Sequence, residues 1–334
     1  MSTLTAGEVK VEAAQREGVQ SQRAARIDAL AVGGACLLFL CLTLYQINLP
    51  GLYPDEAFDV IPAMQLLLGH KVELLDNAGL HLFGLDFPVM SSSAYQGVTS
   101  TYLALPFFAV GGINVFSLRL MTVTTGLVAV VLTYFLARAW FGRVEARLAA
   151  VMLAVSPAWV FWSRLGVYVV SEVVPIAAGA LLAFTLWGRR RPFAERNGSL
   201  YLGAFLLGLG LTTKLLFLWF ITSLAVCAVV FFGQRVWQHR DEVGAQAGKL
   251  ACVSLVVLAA FCAGAAPFII YNLQTRGTYY LLKGSASLGP TTHGVDNRAF
   301  MRNLWTEVDA FRVLLDGGYF WFQGILSRTF SNPL

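Results

Sequence analysis

Apolar residues in this chain run in blocks far longer than a soluble helix needs, and the breaks between blocks are rich in arginine. The first block is 27–49. Block 148–187 holds 40 residues with two charges, Arg164 and Glu172, and block 199–233 holds 35 with one, Lys214. The last is 250–271. One bilayer crossing takes about 20 residues, so the two longer blocks each suit a pair of crossings, the second slightly tight.

The basic residues sort the two sides of the membrane. They cluster at Arg16, Arg23 and Arg26, at Arg138, Arg143 and Arg147, at Arg189, Arg190, Arg191 and Arg196, and at Arg235, Arg240 and Lys249. The positive-inside rule places all four clusters in the cytoplasm. Segment 48–116 carries Asp55, Glu56, Asp59, Glu73, Asp76 and Asp86 against the single base Lys71, so it belongs outside. A block joining two cytoplasmic clusters crosses an even number of times. That parity gives about seven spanning helices, with the N-terminus in and the C-terminus out.

The expected fold is therefore all-α, a polytopic transmembrane helical bundle. Its divisions are a polar cytoplasmic tail at 1–26, a transmembrane module at 27–272 with an extracytoplasmic loop at 49–116, and an extracytoplasmic segment at 273–334. In the loop, 54–68 reads as helix, with Pro54 in the first turn, Asp55 and Glu56 near the positive end of the dipole, and Pro62 as a bend or stop. Segment 95–110, short and interrupted by Pro106, suits a helix lying along the interface. Past Tyr271 no run is long enough to cross. Leu304, Val308, Phe311 and Leu315 recur at helical spacing and predict an amphipathic surface helix.

Composition supports the membrane reading. Hydrophobic residues are 57% of the chain and charged residues 13%, against about 25% charged in soluble domains. The net charge of +5 is a topology signal and not a nucleic-acid footprint. Cys36, Cys41, Cys227, Cys252 and Cys262 all lie in apolar segments and read as small buried hydrophobes, neither a disulfide framework nor a metal site. The first apolar block is too long for a signal-peptide core and lacks a convincing cleavage site, so it reads as a retained helix.

The same topology brings separated polar residues to one level: Asp55 and Glu56 after the first helix, Arg164 and Glu172 at one hairpin tip, Lys214 at the next. Charged residues beside membrane helices are costly unless they serve a purpose. Carboxylates there could act as a general base or hold a hard metal ion, and cations could stabilise a departing phosphate. Each has a plainer reading. Asp55 and Glu56 could merely stabilise a helix N-terminus, Arg164 and Glu172 could form a structural ion pair, and Lys214 could snorkel. His70 and His81 read as ordinary loop residues, and Trp159, Trp162 and Trp219 as an interfacial belt.

Several short elements, in order, resemble a known family. They are the Asp55-Glu56 pair, Tyr95-Gln96-Gly97, the run Gly112-Ile113-Asn114-Val115-Phe116-Ser117-Leu118-Arg119-Leu120, Ala137-Arg138-Ala139-Trp140-Phe141-Gly142, Ser156-Pro157, Trp162-Ser163-Arg164, and Gly208-Leu209-Gly210-Leu211-Thr212-Thr213-Lys214. Over 27–272 the chain is similar to the GT-C membrane glycosyltransferases, in the branch of dolichyl-phosphate-mannose protein mannosyltransferases and bacterial aminoarabinose transferases. The resemblance implies transfer of a sugar from a polyprenyl-phosphate donor to a hydroxyl of a protein, lipid or glycan acceptor on the extracytoplasmic side. It implies Asp55 as the base, Glu56 as an assisting or positioning acid, Glu172 as a second carboxylate, and Arg164 and Lys214 facing the carrier phosphate. The spacing from Arg164 to Glu172 is longer than the family pattern leads one to expect. Relatives differ in their use of a divalent metal ion, so the resemblance leaves such a cofactor open.

Two rival readings belong to other classes. A transporter or lipid flippase would place its binding residues near the midplane and show repeated halves, neither of which the sequence displays. A non-catalytic scaffold would keep the helices and tolerate loss of Asp55 and Lys214. Family members usually continue for several more helices, so a chain ending shortly after Ser331-Asn332-Pro333 reads as truncated or as a compact member. The short loops favour a bacterial inner membrane.

Overall fold

The computed structural model describes residues 6–49, 51–165, 170–189, 197–238, 247–287, 291–292, 295–296 and 299–315. Residues 166–169 of the hairpin tip expected near Arg164 to Glu172, the arginines Arg190, Arg191, Arg196 and Arg240, and the end of the chain from 316 lie outside the described residues, as do the side chains of Arg16 and Arg235.

Helix α1 (Ala6–Leu44) runs unbroken from the polar tail into the first apolar block. Its first half is rich in Ala, Glu, Gln and Arg, good helix formers that give no stop signal. The outer loop then folds as short pieces: α2 (Pro54–Phe58), α3 (Ile61–Leu67), a 3-10 turn (Leu75–Asn77), the hairpin β1 (Gly79–Leu82) with β2 (Leu85–Pro88), and the ribbon β3 (Met90–Ser93) with β4 (Gln96–Gly97). The expected 54–68 helix is thus two helices. Pro62 opens the second one, where its missing N–H costs nothing. Helix α4 (Thr99–Gly111) keeps Pro106 inside it and does not break there.

Helix α5 (Val115–Trp140) is the hub, packed against α1, α4, α6 (Arg143–Val155), α7 (Pro157–Arg164) and α8 (Val170–Gly188). Its start is capped by Asn114, whose side chain accepts from the Ser117 N–H at 2.9 Å. Ser156 and Pro157 together make the bend of 55° between α6 and α7. Gly126 on α5 lets α7 and α1 approach: a methyl there would strike Ser163 and Phe39. One core unites Phe39, Val123, Val130, Tyr134, Ala150 and Trp159. Trp159 is therefore a core residue, not part of an interfacial belt; its indole N–H donates to the Gly126 carbonyl at 3.3 Å. Trp219, by contrast, is exposed.

Helix α9 (Gly198–Thr213) lies between α8 and α11 (Ala247–Gly264), and α10 (Phe217–Gln238) follows it after a short break. Gly208 and Gly264 bring α9 and α11 backbone to backbone. A methyl on either would overlap a carbonyl of the other helix, at Phe261 or Phe205. Small residues at a helix crossing are the usual means of packing in lipid, where apolar side chains gain nothing by leaving the solvent.

After α11 come α12 (Ala266–Thr275), α13 (Gly277–Ser287), the two-residue strands β5 (Thr291–Thr292) and β6 (Val295–Asp296), and α14 (Phe300–Leu315). Helix α12 and the first turn of α13 fasten the outer loop. Tyr271 donates its hydroxyl to Asp76 at 2.6 Å, Gln274 both accepts from the Gly79 N–H and donates to its carbonyl, and Thr278 donates to the Ala94 carbonyl at 2.8 Å.

Among the described residues two helices are long and apolar enough to span a membrane alone, Gln20–Leu44 within α1 and Val115–Trp140. Two bent pairs raise this to four, α6 with α7 and the stretch Gly248–Gly264 with α12, and three shorter apolar stretches stand beside them: Glu172–Gly188, Gly198–Thr213 and Phe217–Val230. The expected straight spans of about 20 residues are in several places bent or shorter. The breaks fall at Ser156, at Ala265 and around Lys214, where a proline or a charge interrupts the apolar run. The cysteines also depart from expectation: Cys41, Cys227 and Cys252 are exposed on the bundle and Cys36 and Cys262 partly buried, all as free thiols.

Candidate active site

The site is built around an arginine set into an otherwise apolar helix. Arg119 and Arg138 are the only charges on α5, and a cation fully buried in a membrane bundle requires a partner. Arg119 finds Glu56. Its Nε donates to one carboxylate oxygen and Nη2 to the other, both at 2.9 Å, and both side chains are wholly buried. Nη1 donates to the carbonyl of Ile47, and Nη2 also to that of Gly51 at 3.0 Å. Glu56 in turn accepts from the Tyr53 N–H at 3.3 Å, closing the start of α2. The fork geometry of a guanidinium suits this bidentate pairing. It fixes the exit of α1 and the first turn of α2 against the hub helix.

Asp55 sits beside this clamp, half-buried, and its carboxylate has no hydrogen-bond partner among the described residues. One turn on, Asp59 is buried, accepting from the Ser91 hydroxyl at 3.0 Å, from the Ser92 hydroxyl at 3.3 Å and from the Gln96 amide. Burial pushes its carboxyl above the ordinary range; the three hydrogen bonds pull down and the nearby Asp55 charge pushes up again. The main chain of Asp59 accepts from Thr101 at 2.7 Å, so α4 is tied to the same point.

Gln96 carries this network to the next element by pairing as an isolated bridge with Lys214. The Leu215 N–H donates to the Tyr95 carbonyl at 2.9 Å, and the Thr99 and Thr213 hydroxyls meet at 2.8 Å. Gly97 is required at this seam, since a methyl would overlap the Thr212 carbonyl. The sequence elements Tyr95-Gln96-Gly97 and Gly208-Leu209-Gly210-Leu211-Thr212-Thr213-Lys214 are two sides of one contact. Gly208 admits α11, Gly210 lies against the Phe217 ring, and Thr212 donates to the Gly264 carbonyl at 3.0 Å.

Glu172 joins from the first turn of α8. It is buried, lies beside Ser100 and feels the Asp59 charge, while one of its oxygens is buried with no hydrogen-bond partner among the described residues. Lys214 likewise feels Asp59. Arg164 ends α7 and donates to the carbonyls of Tyr45 at 2.7 Å and Gln46 at 3.2 Å, where α1 leaves the bundle. No Arg164–Glu172 ion pair forms among the described residues.

The structure thus gathers Asp55, Glu172 and Lys214 around Asp59, and puts Glu56 and Arg164 at the neighbouring clamp. Asp59 and Arg119 were not singled out from the sequence. Two signals pointed at them: Asp59 stands four residues after Asp55, and Arg119 is the one charge between Asp86 and Arg138. Among the described residues no group of three His, Cys, Asp or Glu could hold a metal ion. His81 is occupied with Asp86 across the β1–β2 hairpin.

Lys214 also stands at the edge of an apolar cavity of about 480 Å³ between α5, α8 and α10, lined by Leu136, Val174, Ala177, Leu181, Phe217 and Phe220. Exposed Leu216 and Trp219 form part of its wall.

The described bundle is helical and largely apolar, with carboxylates and cations gathered beside an apolar groove. Residues 96–269, just over half the chain, match the model of the dolichyl-phosphate-mannose-protein mannosyltransferase family, and the chain belongs to that family, as a membrane glycosyltransferase of the GT-C type. The matched span contains Arg119, Arg164, Glu172 and Lys214, whereas Asp55, Glu56 and Asp59 precede it. No curated protein and no solved structure matches the chain.

Proposed function

We propose that the protein moves a sugar from a polyprenyl-phosphate donor to an acceptor hydroxyl at the extracytoplasmic face of the membrane. The observation that carries this reading is the apolar cavity with Lys214 at its edge, next to the Asp59 cluster. An isoprenoid tail would occupy the groove and its phosphate would meet the lysine.

The chemistry then needs little more. Asp55, the least engaged of the carboxylates, takes the proton of the acceptor hydroxyl as its oxygen attacks the anomeric carbon. The bond from that carbon to the phosphate oxygen breaks, the electron pair leaves with the polyprenyl phosphate, and the configuration inverts. Lys214 and Arg164 offset the charge that grows on the departing phosphate. Glu56 acts through Arg119 by holding Asp55 in place, and Glu172 lies close enough to Asp59 to serve as a second acid. General-base catalysis is commonly worth about 100-fold or more.

Support for the sidedness comes from α5. Arg119 and Arg138 are 19 residues apart on that helix, about 28 Å at 1.5 Å per residue, which matches a hydrocarbon core of about 30 Å. The site and the arginine cluster around Arg138 would then lie at opposite membrane surfaces. Counting each bent pair as one span, together with the two long and three shorter apolar helices, is compatible with seven crossings.

Membranes carrying the Asp55→Asn protein, incubated with labelled polyprenyl-phosphate sugars, should lose transfer by about 100-fold or more while the protein stays inserted at normal abundance. Undiminished transfer would remove Asp55 from the mechanism. Lys214→Gln should raise the KM for donor and lower kcat as well, because the lysine meets the donor phosphate and offsets the charge that grows on it.

A further inference from the structure

We propose that the opposite end of the bundle holds a headgroup site for an anionic phospholipid of that leaflet. The site is built on Asp28, a buried carboxylate on α1. Three guanidiniums converge on it: Arg143 Nη1 at 2.7 Å, Arg147 Nε at 3.2 Å and Arg138 Nη1 at 3.7 Å. Arg189, at the end of α8, adds a fourth by donating to the Ala139 carbonyl beside Arg138. Among the described residues the one other acid in this group is Glu145, whose carboxylate lies near Gly142 at the start of α6. Four described cations against two described carboxylates leave an excess of positive charge.

One buried carboxylate would be satisfied by one well-placed arginine. A carboxylate has two oxygens, and each guanidinium brings five N–H donors, so Asp28 cannot consume what surrounds it. It holds the cluster in place. The side chains of Arg138, Arg143 and Arg147 remain 40%, 34% and 26% exposed, open to a further acceptor. A phosphodiester supplies oxygen acceptors and the missing negative charge, and it suits guanidinium forks.

The surroundings select a lipid over a free anion. Trp140 anchors here through its indole N–H to the Thr185 hydroxyl at 3.0 Å, and it, Phe141, Val144 and Leu148 are large apolar side chains exposed beside the arginines. Aromatic residues at this level mark the headgroup boundary, and basic pockets between membrane helices are fitted to anionic headgroups. The acyl chains would cover the exposed apolar side chains while the phosphate meets the arginines. This reading does not depend on the proposed sugar transfer.

The test uses the full chain, extracted from vesicles of phosphatidylcholine mixed with phosphatidylglycerol, with retained lipid counted by native mass spectrometry. The wild type should keep phosphatidylglycerol in preference to phosphatidylcholine. The double variant Arg138→Gln, Arg189→Gln leaves the two shortest Asp28 pairs intact and should lower that preference about tenfold or more, each basic residue near an anionic surface contributing about fivefold, with its melting in phosphatidylcholine unchanged. Glu145→Gln removes the competing acid and should raise the preference, so the idea stays exposed if the double variant folds poorly. Equal retention of both lipids by the wild type would overturn the proposal. So would no rise on Glu145→Gln, or displacement of the lipid by inorganic phosphate at matching concentration.

Discussion

Glu56 and Arg119 form a clamp that, in the proposed mechanism, positions Asp55. Their bidentate contact is fully buried, so breaking it leaves a lone charge in the bundle. Arg119→Met should cost about 3–5 kcal/mol of stability, read as a large drop in the unfolding midpoint in detergent. The double variant Glu56→Leu, Arg119→Leu should recover much of that loss, because neither charge is stranded, yet still fail to transfer sugar, because α2 is no longer clamped. Asp59 gives a separate signature. Its folded-state carboxyl sits above the ordinary value, chiefly through burial, so the folded protein holds that proton more tightly than the unfolded chain. Stability contributed by the site is therefore greatest below the ordinary carboxylate range and declines as pH rises through the folded value. Asp59→Asn should flatten that decline in a series of thermal melts against pH; an unchanged slope would show that Asp59 does not titrate in this window.

At the scale of elements, the contact between the β4 seam and the end of α9 is the joint on which the site hangs. Gly97 is there because backbone must pass against the Thr212 carbonyl. Gly97→Ala forces the strand off Lys214 and should cost about 1–3 kcal/mol, as other overpacked sites do, with a larger loss in transfer than in stability. Gly208→Ala acts at the α9–α11 crossing, should cost a similar amount, and should spare the KM for donor more than Lys214→Gln does. Both can be ranked by melting and transfer assays on the same preparations. Much of this was legible beforehand. The glycine-threonine-lysine run and the Tyr95-Gln96-Gly97 element stood out in the sequence, but their mutual contact did not, because they are more than a hundred residues apart and nothing in either run names its partner. The hairpins of the outer loop were also invisible: their strands are two to four residues long, too short to show alternation. The loop instead owes its shape to side-chain ties such as Tyr271 to Asp76 and Gln274 to Gly79.

For the molecule as a whole, the two charged clusters on α5 make a prediction about topology. After the native cysteines are replaced, a single cysteine at Phe83, 98% exposed on the outer hairpin, should react with an impermeant thiol reagent added outside sealed cells. One at Arg189 should react only after the membrane is opened. Labelling of both from outside would contradict the orientation and with it the proposed extracytoplasmic site.

What the chain determined by itself was its solvent. Blocks of apolar residues need no partner to declare that they belong in lipid, and arginines between them bias sidedness through charge alone. The resemblance likewise rested on local runs, which a linear reading can find. What only the tertiary structure decided was pairing: that Arg119 takes Glu56, that Asp59 is buried against Gln96 and within the field of Lys214, that Asp28 gathers three arginines. A buried charge states that it requires a counter-charge but not which one, because that choice depends on distances of a few ångströms set by helix packing.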